Sequence, residues 1–458
     1  MNFVHRPYVP EETIAAIATP PGEGGISIIR ISGKEALSVA SKVFTGPVYS
    51  YLTHTAHLGK IKDSGGHVLD EVLLLVMKTP HSFTGEDTVE LHCHGGTIVT
   101  KKILNAVFQS GARAALPGEF SFKAFMNGKI DLTQAEAIQQ VISAKNELAY
   151  SAAEQHLQGA LSAKIKTFQS KLLDIAAILE AWVDFPEEGL EFASKEEILD
   201  SLSQIFTSMS CLSQTFYEGK IIHEGLSLCL IGPPNAGKSS LMNTLLGKER
   251  AIVTEIAGTT RDLLEDNLSL GGLHFKILDT AGIRETEERI EKEGVRRSLE
   301  AMKSADLILL VLDASKPLSS EAESLLTSIP YEKTLLIWNK SDLPHTITAT
   351  PQLSHFVKLS ALTGEGLDLL KEAIHKLIWK IGPPSKEEVI LTNMRHKEAL
   401  DNAMESLELV IQGIQNDLSP EFLSFDMRKT LFELGTILGM DISEQILTSI
   451  FSKFCVGK

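Results

Sequence analysis

The stretch that decides the fold covers residues 226–246 and reads LSLCLIGPPNAGKSSLMNTLL. Its first six residues predict a buried strand, and its last six predict a helix. Between them, residues 232–239 carry the pattern GxxxxGK[ST] in the strand–loop–helix order of a phosphate-binding loop. Glycines allow consecutive backbone N–H groups to point at an anion, and the helix N-terminus adds positive potential. The sequence therefore predicts a P-loop domain.

Four further motifs follow in an order typical of guanine-nucleotide binding: GTTRD at 258–262, DTAG at 279–282, NKSD at 339–342 and SAL at 360–362. The carboxylate of Asp342 offers acceptors to the ring N–H and exocyclic amine of guanine, whereas adenine presents the opposite pattern. We expect Lys238 to bridge the outer phosphates, and Ser239 and Thr260 to ligate magnesium. Asp279 is expected to hold the water shell of the magnesium.

The predicted GTP contacts lie in these motifs and in the segment before the first of the four. They are Asn235, Ala236, Gly237, Lys238, Ser239, Ser240, Thr254, Glu255, Ile256, Ala257, Gly258, Thr259, Thr260, Asp279, Thr280, Ala281, Gly282, Asn339, Lys340, Asp342, Ser360, Ala361 and Leu362.

One position departs from the commonest GTPase pattern. Many GTPases carry a glutamine directly after the DxxG motif to orient the attacking water, but Ile283 stands there. Hydrolysis therefore requires another polar residue or a partner. The five glutamates within 285–293 are candidates, and a solvated helix face is the alternative interpretation. Spacing assigns no catalytic arginine; a monovalent cation on neutral oxygens is a substitute, and Asn235 supplies a side-chain carbonyl in the right loop.

Length and composition bound the class of protein. A chain of 458 residues is too long for one ordinary core, so about three domains are expected. Its 43% hydrophobic and 22% charged content is that of a soluble globular protein. The longest uninterrupted apolar run near the obvious strands, residues 307–312, is far too short for a membrane span. The net charge of −16 argues against indiscriminate polyanion binding. Four widely spaced cysteines and no apolar leader favour a reduced, cytoplasmic setting.

The patterning predicts a multidomain chain of α+β and α/β class. Residues 1–122 read as an N-terminal α+β domain with strands near 13–18, 26–31, 72–77 and 87–94 and a helix at 98–108. Residues 123–222 and 383–458 read as helical and flank a GTPase domain at 223–382 with a mainly parallel sheet. We predict one discontinuous helical domain with the GTPase domain inserted; two separate helical units are the alternative.

Capping patterns predict where several helices begin. Thr133 with Glu136, Ser194 with Glu197 and Ser385 with Glu388 each match a capping box. In addition, Ser419 followed by proline predicts a helix beginning there.

Short motifs outside the GTPase motifs narrow the choice among families of GTPases. They are ATPPGEGGI at 18–26, RISG at 30–33, SFTGED at 82–87, HGG at 94–96, PGEF at 117–120, NGK at 127–129 and CVGK at 455–458. Together they closely resemble the MnmE (TrmE) family of tRNA modification GTPases over essentially the whole length. The main departure is Val456, where isoleucine or leucine is common in the family.

The resemblance implies a function and partners. Members work with the flavoprotein MnmG, which holds FAD, to add an aminomethyl or carboxymethylaminomethyl group to the wobble uridine of certain tRNAs. The N-terminal domain binds a formyl- or methylene-tetrahydrofolate that donates the one-carbon unit. That domain also forms a homodimer, which assembles with the partner as a heterotetramer, and the GTPase domains pair when potassium and GTP are bound.

The resemblance also implies site residues. Arg30, Glu90, Lys129 and Lys458 match folate-contacting positions, and Asn235, Thr254, Ile256 and Thr259 match the potassium site. Glu291 matches the glutamate that organises the hydrolytic water, and Cys455 matches the functional C-terminal cysteine.

The residues themselves support part of this assignment. Strand alternation at 87–94 places Glu90 and His92 on one face and Cys93 on the other, so a carboxylate is available to the donors of a pterin ring. Arg30 and two lysines suit the glutamate tail of a folate. For His92, Cys93 and His94 a metal site is the less favoured interpretation, because adjacent strand residues point oppositely. Cys455 is equally consistent with a core thiol beside Phe451 and Phe454.

Two functions of different class compete. The first is the tRNA-modifying GTP hydrolase. The second is a GTP-dependent assembly or signalling switch that binds ribosomal RNA or protein and performs no covalent RNA chemistry. Switches of the second kind usually carry a basic RNA-binding module, and the sequence shows none.

Overall fold

Two six-stranded sheets and a set of long helices form the described part of the chain. The computed structural model describes residues 12–184, 194–249, 267–278, 302–345, 355–379, 385 and 388–458. Within these ranges, no helix has the combination of length and apolar character that crossing a bilayer requires.

The first sheet belongs to the N-terminal part. Its strands are β1 (Ile14–Ile17), β2 (Gly24–Ser32), β3 (Thr55–Lys62), β4 (Val68–Met77), β5 (Thr88–Gly95) and β6 (Arg113–Ala114). They run in the order β3-β4-β5-β2-β1-β6, with every pairing antiparallel except β1 with β6. Helices α1 (Ala36–Val43) and α2 (Thr97–Gln109) contribute to the core on one face of the sheet. Val89, Leu91 and Cys93 of β5 point into that core, which leaves Glu90 and His92 on the other face.

The four predicted strands and the helix near 98–108 are present. Strand β3 and helix α1 were not predicted. In β3, exposed and half-buried residues alternate so that only Ile61 is buried, and the apolar signal is correspondingly weak.

Helices flank the second sheet on both sides in sequence. Before it come α3 (Glu119–Met126), α4 (Leu132–Ser143), α5 (Glu147–Leu157), α6 (Ala160–Asp184), α7 (Lys195–Gln214) and α8 (Phe216–Glu224). The last three helices, numbered here after those of the second sheet, are α12 (Met394–Gln415), α13 (Pro420–Leu438) and α14 (Glu444–Phe451). Apolar residues of α6 and α7 share one core with those of α12 and α13. The helical domain is therefore discontinuous, with the second sheet inserted between its two parts.

Two of the three capping-box predictions are wrong. The box that opens α4 is Asp131 with Gln134, and Thr133 and Glu136 lie inside the helix. No helix begins at Ser385, since residues 388–393 are non-helical and α12 starts after the cap Asn393. In contrast, the Ser194 box of α7 and the proline start of α13 are confirmed.

The inserted sheet contains the P-loop. Its strands are β7 (Leu226–Ile231), β8 (Asn267–Leu270), β9 (Leu273–Leu278), β10 (Leu307–Asp313), β11 (Thr334–Asn339) and β12 (Phe356–Lys358). The order is β12-β11-β10-β7-β9-β8, and only β8 is antiparallel to its neighbour, so the predicted mainly parallel sheet is confirmed. Helices α9 (Lys238–Glu249) and α11 (Leu367–Ile378) pack on one face, and α10 (Ser320–Ser328) packs on the other. This arrangement brings the ends of β7, β10 and β11 to one edge.

Candidate functional site

The P-loop follows β7 and leads directly into α9. Gly232 and Gly237 have φ angles of +154° and +97°, which residues other than glycine rarely adopt. A Cβ at Gly232 would lie 2.2 Å from the Val311 carbonyl, and one at Gly237 would lie 2.1 Å from Asn339 Nδ2. Glycine is therefore required at both positions by the close approach of β10 and β11, as well as by the turn.

Lys238 is folded against the P-loop. Its ammonium donates to the carbonyl oxygens of Gly232 at 2.8 Å and Pro233 at 2.9 Å. Burial lowers the pKa of Lys238 below its ordinary value. Ser239 and Ser240 are exposed in the first turn of α9. A serine hydroxyl beside a phosphate-binding lysine fits a magnesium ligand, so the described half of the predicted Mg²⁺ site has suitable chemistry.

The NKSD motif connects three loops. Asn339 donates through Nδ2 to the Ala236 carbonyl at 2.8 Å, and its Oδ1 accepts from the Ala361 amide at 3.0 Å. Lys340 donates to the Asn235 carbonyl at 2.9 Å and to Asp313 Oδ2 at 2.6 Å. These contacts bring the P-loop, the NKSD motif and the SAL motif together.

The remaining described nucleotide contacts lie around this junction. Asp342 and Leu362 are exposed, with Leu362 85% accessible, while Ser360 is fully buried. The Ser360 hydroxyl accepts from the Thr363 amide at 3.2 Å, which shapes the SAL turn. An exposed Asp342 is available to the edge of a guanine ring.

Asp313 was missed at the sequence level. It ends β10, and its pairing with Lys340 places it beside the P-loop. The signal was the Asp-Ala-Ser segment that begins at the last residue of a buried strand, which is also a common turn pattern.

Several predicted site residues lie outside the described ranges. They are Thr254, Glu255, Ile256, Ala257, Gly258, Thr259, Thr260, Asp279, Thr280, Ala281, Gly282 and Glu291. The predicted switch ligands of magnesium and potassium and the predicted catalytic glutamate are among them. Asn235, the described potassium candidate, is exposed and has φ +60°, a left-handed conformation that asparagine tolerates better than most residues. Its neutral amide oxygen fits a monovalent cation.

The second candidate site centres on Arg30 and Glu90. Arg30 of β2 and Glu90 of β5 are register partners, and Arg30 Nε lies 2.8 Å from Glu90 Oε1. Glu90 Oε2 is 3.2 Å from His92 Nε2. The Glu90 side chain is only 11% exposed, and the Arg30 guanidinium also lies over the Phe120 ring, 5.7 Å from its centroid. A buried carboxylate beside a guanidinium suits a heterocycle that carries both donors and an acidic tail, so these residues fit a folate.

The C-terminal tail contacts this site. Arg30 Nη1 donates to the Gly457 carbonyl at 3.2 Å, and the Phe120 amide donates to the Lys458 carbonyl at 3.3 Å. Gly457 has φ +96°, and a Cβ there would lie 2.5 Å from the Ile17 carbonyl. The tail therefore lies against the end of β1 and the start of α3.

Cys455 has an exposed side chain near this junction. Its carbonyl accepts from the Gly118 amide at 3.3 Å. Its neighbours Phe451 and Phe454 are buried with Leu132 and Leu447. The core-thiol interpretation of Cys455 is wrong, because the phenylalanines fill the core and the cysteine does not.

Lys129 is held elsewhere. Its ammonium donates to the Pro80 carbonyl at 3.0 Å, and none of its hydrogen bonds or ion pairs found in the described ranges reaches Arg30, Glu90 or Lys458. Asn127 beside it donates to the Thr84 carbonyl at 2.7 Å, so both residues bind the loop between β4 and β5.

The metal interpretation of residues 92–94 has no support in the described ranges. Cys93 is buried on the helix-covered face, whereas His94 Nδ1 lies 2.8 Å from Asp70 Oδ1 on the other side. No group of three or more metal-binding side chains occurs among the residues that the structure describes.

Comparison with known proteins places the chain in a family. Residues 13–129 match the model described as GTP-binding protein TrmE N-terminus, and residues 132–455 match the MnmE helical domain model. The chain is similar to the tRNA modification GTPase MnmE of Protochlamydia amoebophila, with 59% identity over the full length of both. It is also similar to that of Chlamydia abortus, with 45% identity over 98% of this chain and 100% of the relative.

Solved structures with partial similarity include the G domain of the T. maritima FeoB iron transporter and Aquifex aeolicus Era bound to GDP and aluminium fluoride. The first has 29% identity, covers 34% of this chain and 99% of its own and has a TM-score of 0.25. The second has 24% identity, covers 40% and 67% and has a TM-score of 0.24. The two family models and the full-length relatives show that the chain belongs to the MnmE family of tRNA modification GTPases.

Proposed function

We propose that this chain hydrolyses GTP and, with a flavoprotein partner that holds FAD, takes part in adding an aminomethyl or carboxymethylaminomethyl group to the wobble uridine of certain tRNAs. The single observation that carries the proposal is the full-length 59% identity to a tRNA modification GTPase. The alternative, an assembly switch without covalent RNA chemistry, is not favoured, because the full-length relatives are named as tRNA modification GTPases.

In the GTPase domain, different residues have separate roles in GTP binding and hydrolysis. Lys238 neutralises the outer phosphates, Asp342 selects guanine, and Ser239 with Thr260 holds magnesium, which supplies charge for the transition state. Glu291 orients the attacking water, since Ile283 has no polar group for this task. Asn235, Thr254, Ile256 and Thr259 would hold potassium, which would supply the positive charge that an arginine supplies in other GTPases.

In the N-terminal part, a tetrahydrofolate supplies the one-carbon unit when bound. Glu90 accepts from the pterin ring, and Arg30 and Lys458 hold the acidic tail. Lys129 is the fourth proposed folate contact, and it also binds the loop between β4 and β5 through the Pro80 carbonyl. Cys455 is exposed, and its carbonyl accepts from the Gly118 amide at the start of α3.

The domain boundaries proposed are 1–122 for folate binding and dimerisation, 123–222 and 383–458 for the helical domain, and 223–382 for the GTPase domain. The working form is a cytoplasmic homodimer that binds the flavoprotein as a heterotetramer.

The decisive experiment is nucleoside mass spectrometry of tRNA from a strain that lacks this chain. Loss of the wobble modification, restored by the wild-type gene, is expected. Intact modification in the deletion strain would contradict the proposal.

The hydrolysis mechanism has its own test. Glu291→Ala should abolish turnover while GTP binding persists, and equal loss of both would make Glu291 structural. Replacing potassium with sodium should slow hydrolysis sharply; a rate indifferent to the cation would remove Asn235 from its role.

A further inference from the structure

Lys340 stands between two oxygen atoms from different parts of the chain. Its ammonium donates to the Asn235 carbonyl of the P-loop at 2.9 Å and to the Asp313 carboxylate at 2.6 Å. The Lys340 side chain is 30% exposed and that of Asp313 is 13% exposed. The Asp313 carboxylate therefore holds the partly exposed Lys340 ammonium beside the P-loop instead of leaving it to turn towards solvent.

The Asp313 carboxylate is itself held in a single orientation. Its Oδ1 accepts from the Ser315 amide at 2.9 Å and from the Ser315 hydroxyl at 2.6 Å, which leaves Oδ2 for Lys340. The Ala314 amide donates to the Asn339 carbonyl at 2.9 Å, so the ends of β10 and β11 are joined beside this contact. Burial raises the pKa of Asp313, but the hydrogen bonds from Lys340 and Ser315 outweigh it, and the net pKa lies below its ordinary value.

The two residues that this contact connects share an uncommon backbone conformation. Asn235 has φ +60° and Lys340 has φ +64°. Left-handed backbone is unfavourable for residues other than glycine and persists where surrounding contacts hold it. The hydrogen bond from Lys340 to the Asn235 carbonyl is such a contact, and it joins the phosphate-binding loop to the loop that reads the base.

We propose that Asp313 is a positioning residue for guanine-nucleotide binding, which acts by orienting Lys340 so that the P-loop and the base-reading loop form one preformed surface. The proposal rests on the proposed function only in that this site binds a guanine nucleotide. Without the carboxylate, the Lys340 side chain gains conformational freedom. Nucleotide binding must then order the two loops, and this cost lowers the affinity.

The test is nucleotide binding by the full chain and its Asp313→Asn variant, followed with fluorescent GDP and GTP analogues. We expect the dissociation constant to rise about tenfold, mainly through faster dissociation, because a charge-assisted hydrogen bond contributes on that order. Asp306→Asn is the matched control. It precedes the same strand at its opposite end and accepts from the Ser227 amide and hydroxyl, at 2.8 Å and 2.5 Å. It should change affinity by less than about twofold.

A double-mutant cycle separates positioning from a general structural effect. Lys340→Met should weaken binding, and Asp313→Asn added to it should weaken binding no further, because Asp313 acts through Lys340. Fully additive losses, or an Asp313→Asn affinity equal to wild type, would overturn the proposal. Equal losses of nucleotide affinity in Asp313→Asn and Asp306→Asn would also overturn it, because the effect would then come from a general disturbance of β10. If wild type itself bound no guanine nucleotide, the proposed function would fail instead.

Discussion

Arg30 and Glu90 face each other across strands β2 and β5, and the same guanidinium reaches the carbonyl of Gly457 near the C-terminal end of the chain. The distances are 2.8 Å from Nε to the carboxylate and 3.2 Å from Nη1 to the carbonyl. One side chain thus joins two neighbouring strands to a segment that follows α14. The planar fork of an arginine carries separate N–H groups in fixed directions, so one guanidinium holds the carboxylate through Nε and the carbonyl through Nη1.

Arg30→Ala should therefore affect both the tail and the folate site. We expect tetrahydrofolate affinity to fall about tenfold or more, since a hydrogen bond to a charged group contributes ~1.5–3 kcal/mol. Amide hydrogen exchange at residues 455–458 should accelerate in the same variant. The readouts are isothermal titration with tetrahydrofolate and exchange mass spectrometry. Lys34→Ala, at an exposed lysine just past β2, is the control. Unchanged affinity with a loosened tail would remove Arg30 from the folate site but leave its structural contact.

The sequence predicted the elements whose signals are local. The P-loop, the mainly parallel sheet and the strands with continuous apolar runs follow from patterns within about twenty residues. Contacts between distant segments were not predictable in this way. No local pattern near Gly457 indicates that it meets Arg30, and only the family resemblance assigns Lys458 and Arg30 to one site. Nothing near Asp313 indicates Lys340.

Glu136 shows how a local rule can fail. Its spacing from Thr133 matches a capping box, yet it lies one turn inside α4 and binds Arg395 and His396. The competing box, Asp131 with Gln134, has the same spacing two residues earlier. Only the position of the second helical part, which places a cation opposite Glu136, decides between the two. That information is tertiary, and no short window of sequence contains it.

Lys123, which is fully buried, and Glu86, whose side chain is 19% exposed, form an ion pair that anchors the loop between β4 and β5. The Lys123 side chain is fully buried, with its ammonium 2.7 Å from Glu86 Oε2 and 2.8 Å from the Glu12 carbonyl. Lys123→Met should lower the free energy of unfolding by about 3 kcal/mol, because Glu86 keeps its charge without a partner. Urea unfolding of the full chain measures the change.

Two companion variants sharpen this prediction. Adding Glu86→Gln to Lys123→Met should recover part of the loss, because the uncompensated charge is removed. Lys101→Met, at an exposed lysine of α2, should change stability by less than about 0.5 kcal/mol. If the double variant were no more stable than Lys123→Met, the buried charge would not be the cause.

His156 predicts a pH dependence of stability. Burial lowers its pKa from 6.5 to about 4, and its Nε2 lies 2.8 Å from the Ile390 carbonyl. The unfolded chain takes up this proton near pH 6.5 and the folded chain only near 4. The contribution of neutral His156 to the free energy of unfolding is therefore complete above pH 6.5 and is lost as the pH falls through 4. Between these values the free energy of unfolding falls by up to about 1.4 kcal/mol per pH unit.

His156→Gln should flatten this slope between pH 6.5 and 5, as measured by thermal unfolding. Burial also lowers the pKa of His274 to about 4, so the slope should diminish rather than vanish. His67→Gln, at a histidine whose side chain is 82% exposed, should leave the slope unchanged. A slope equally steep in His156→Gln would mean that His156 is not protonated on unfolding in this range.

Glu136 and Arg395 join the two parts of the helical domain. Glu136 on α4 accepts from Arg395 Nε at 3.0 Å and Nη2 at 2.8 Å and contacts His396 Nε2 at 2.7 Å, while Arg395 Nη1 donates to the Thr436 carbonyl of α13 at 2.6 Å. Burial raises the pKa of Glu136, but the charges and hydrogen bonds of His396 and Arg395 outweigh the effect of burial and lower this pKa to about 2. This carboxylate therefore contributes stability above pH 4.5 that is lost as the pH falls through 2.

Glu136→Gln should test the junction directly. The amide keeps the shape but removes the charge, and Arg395 is left without its counterion, so we expect a loss of about 3 kcal/mol at pH 7. The matched control is Glu405→Gln, at an exposed position of α12, which should change stability by less than about 0.5 kcal/mol. Between pH 4.5 and 2.5, wild type should lose stability more steeply than Glu136→Gln, because only wild type protonates this carboxyl on unfolding. Wild-type stability in Glu136→Gln at pH 7 would show that the ion pair only offsets its own desolvation, and packing of α6, α7, α12 and α13 would then hold the two parts together.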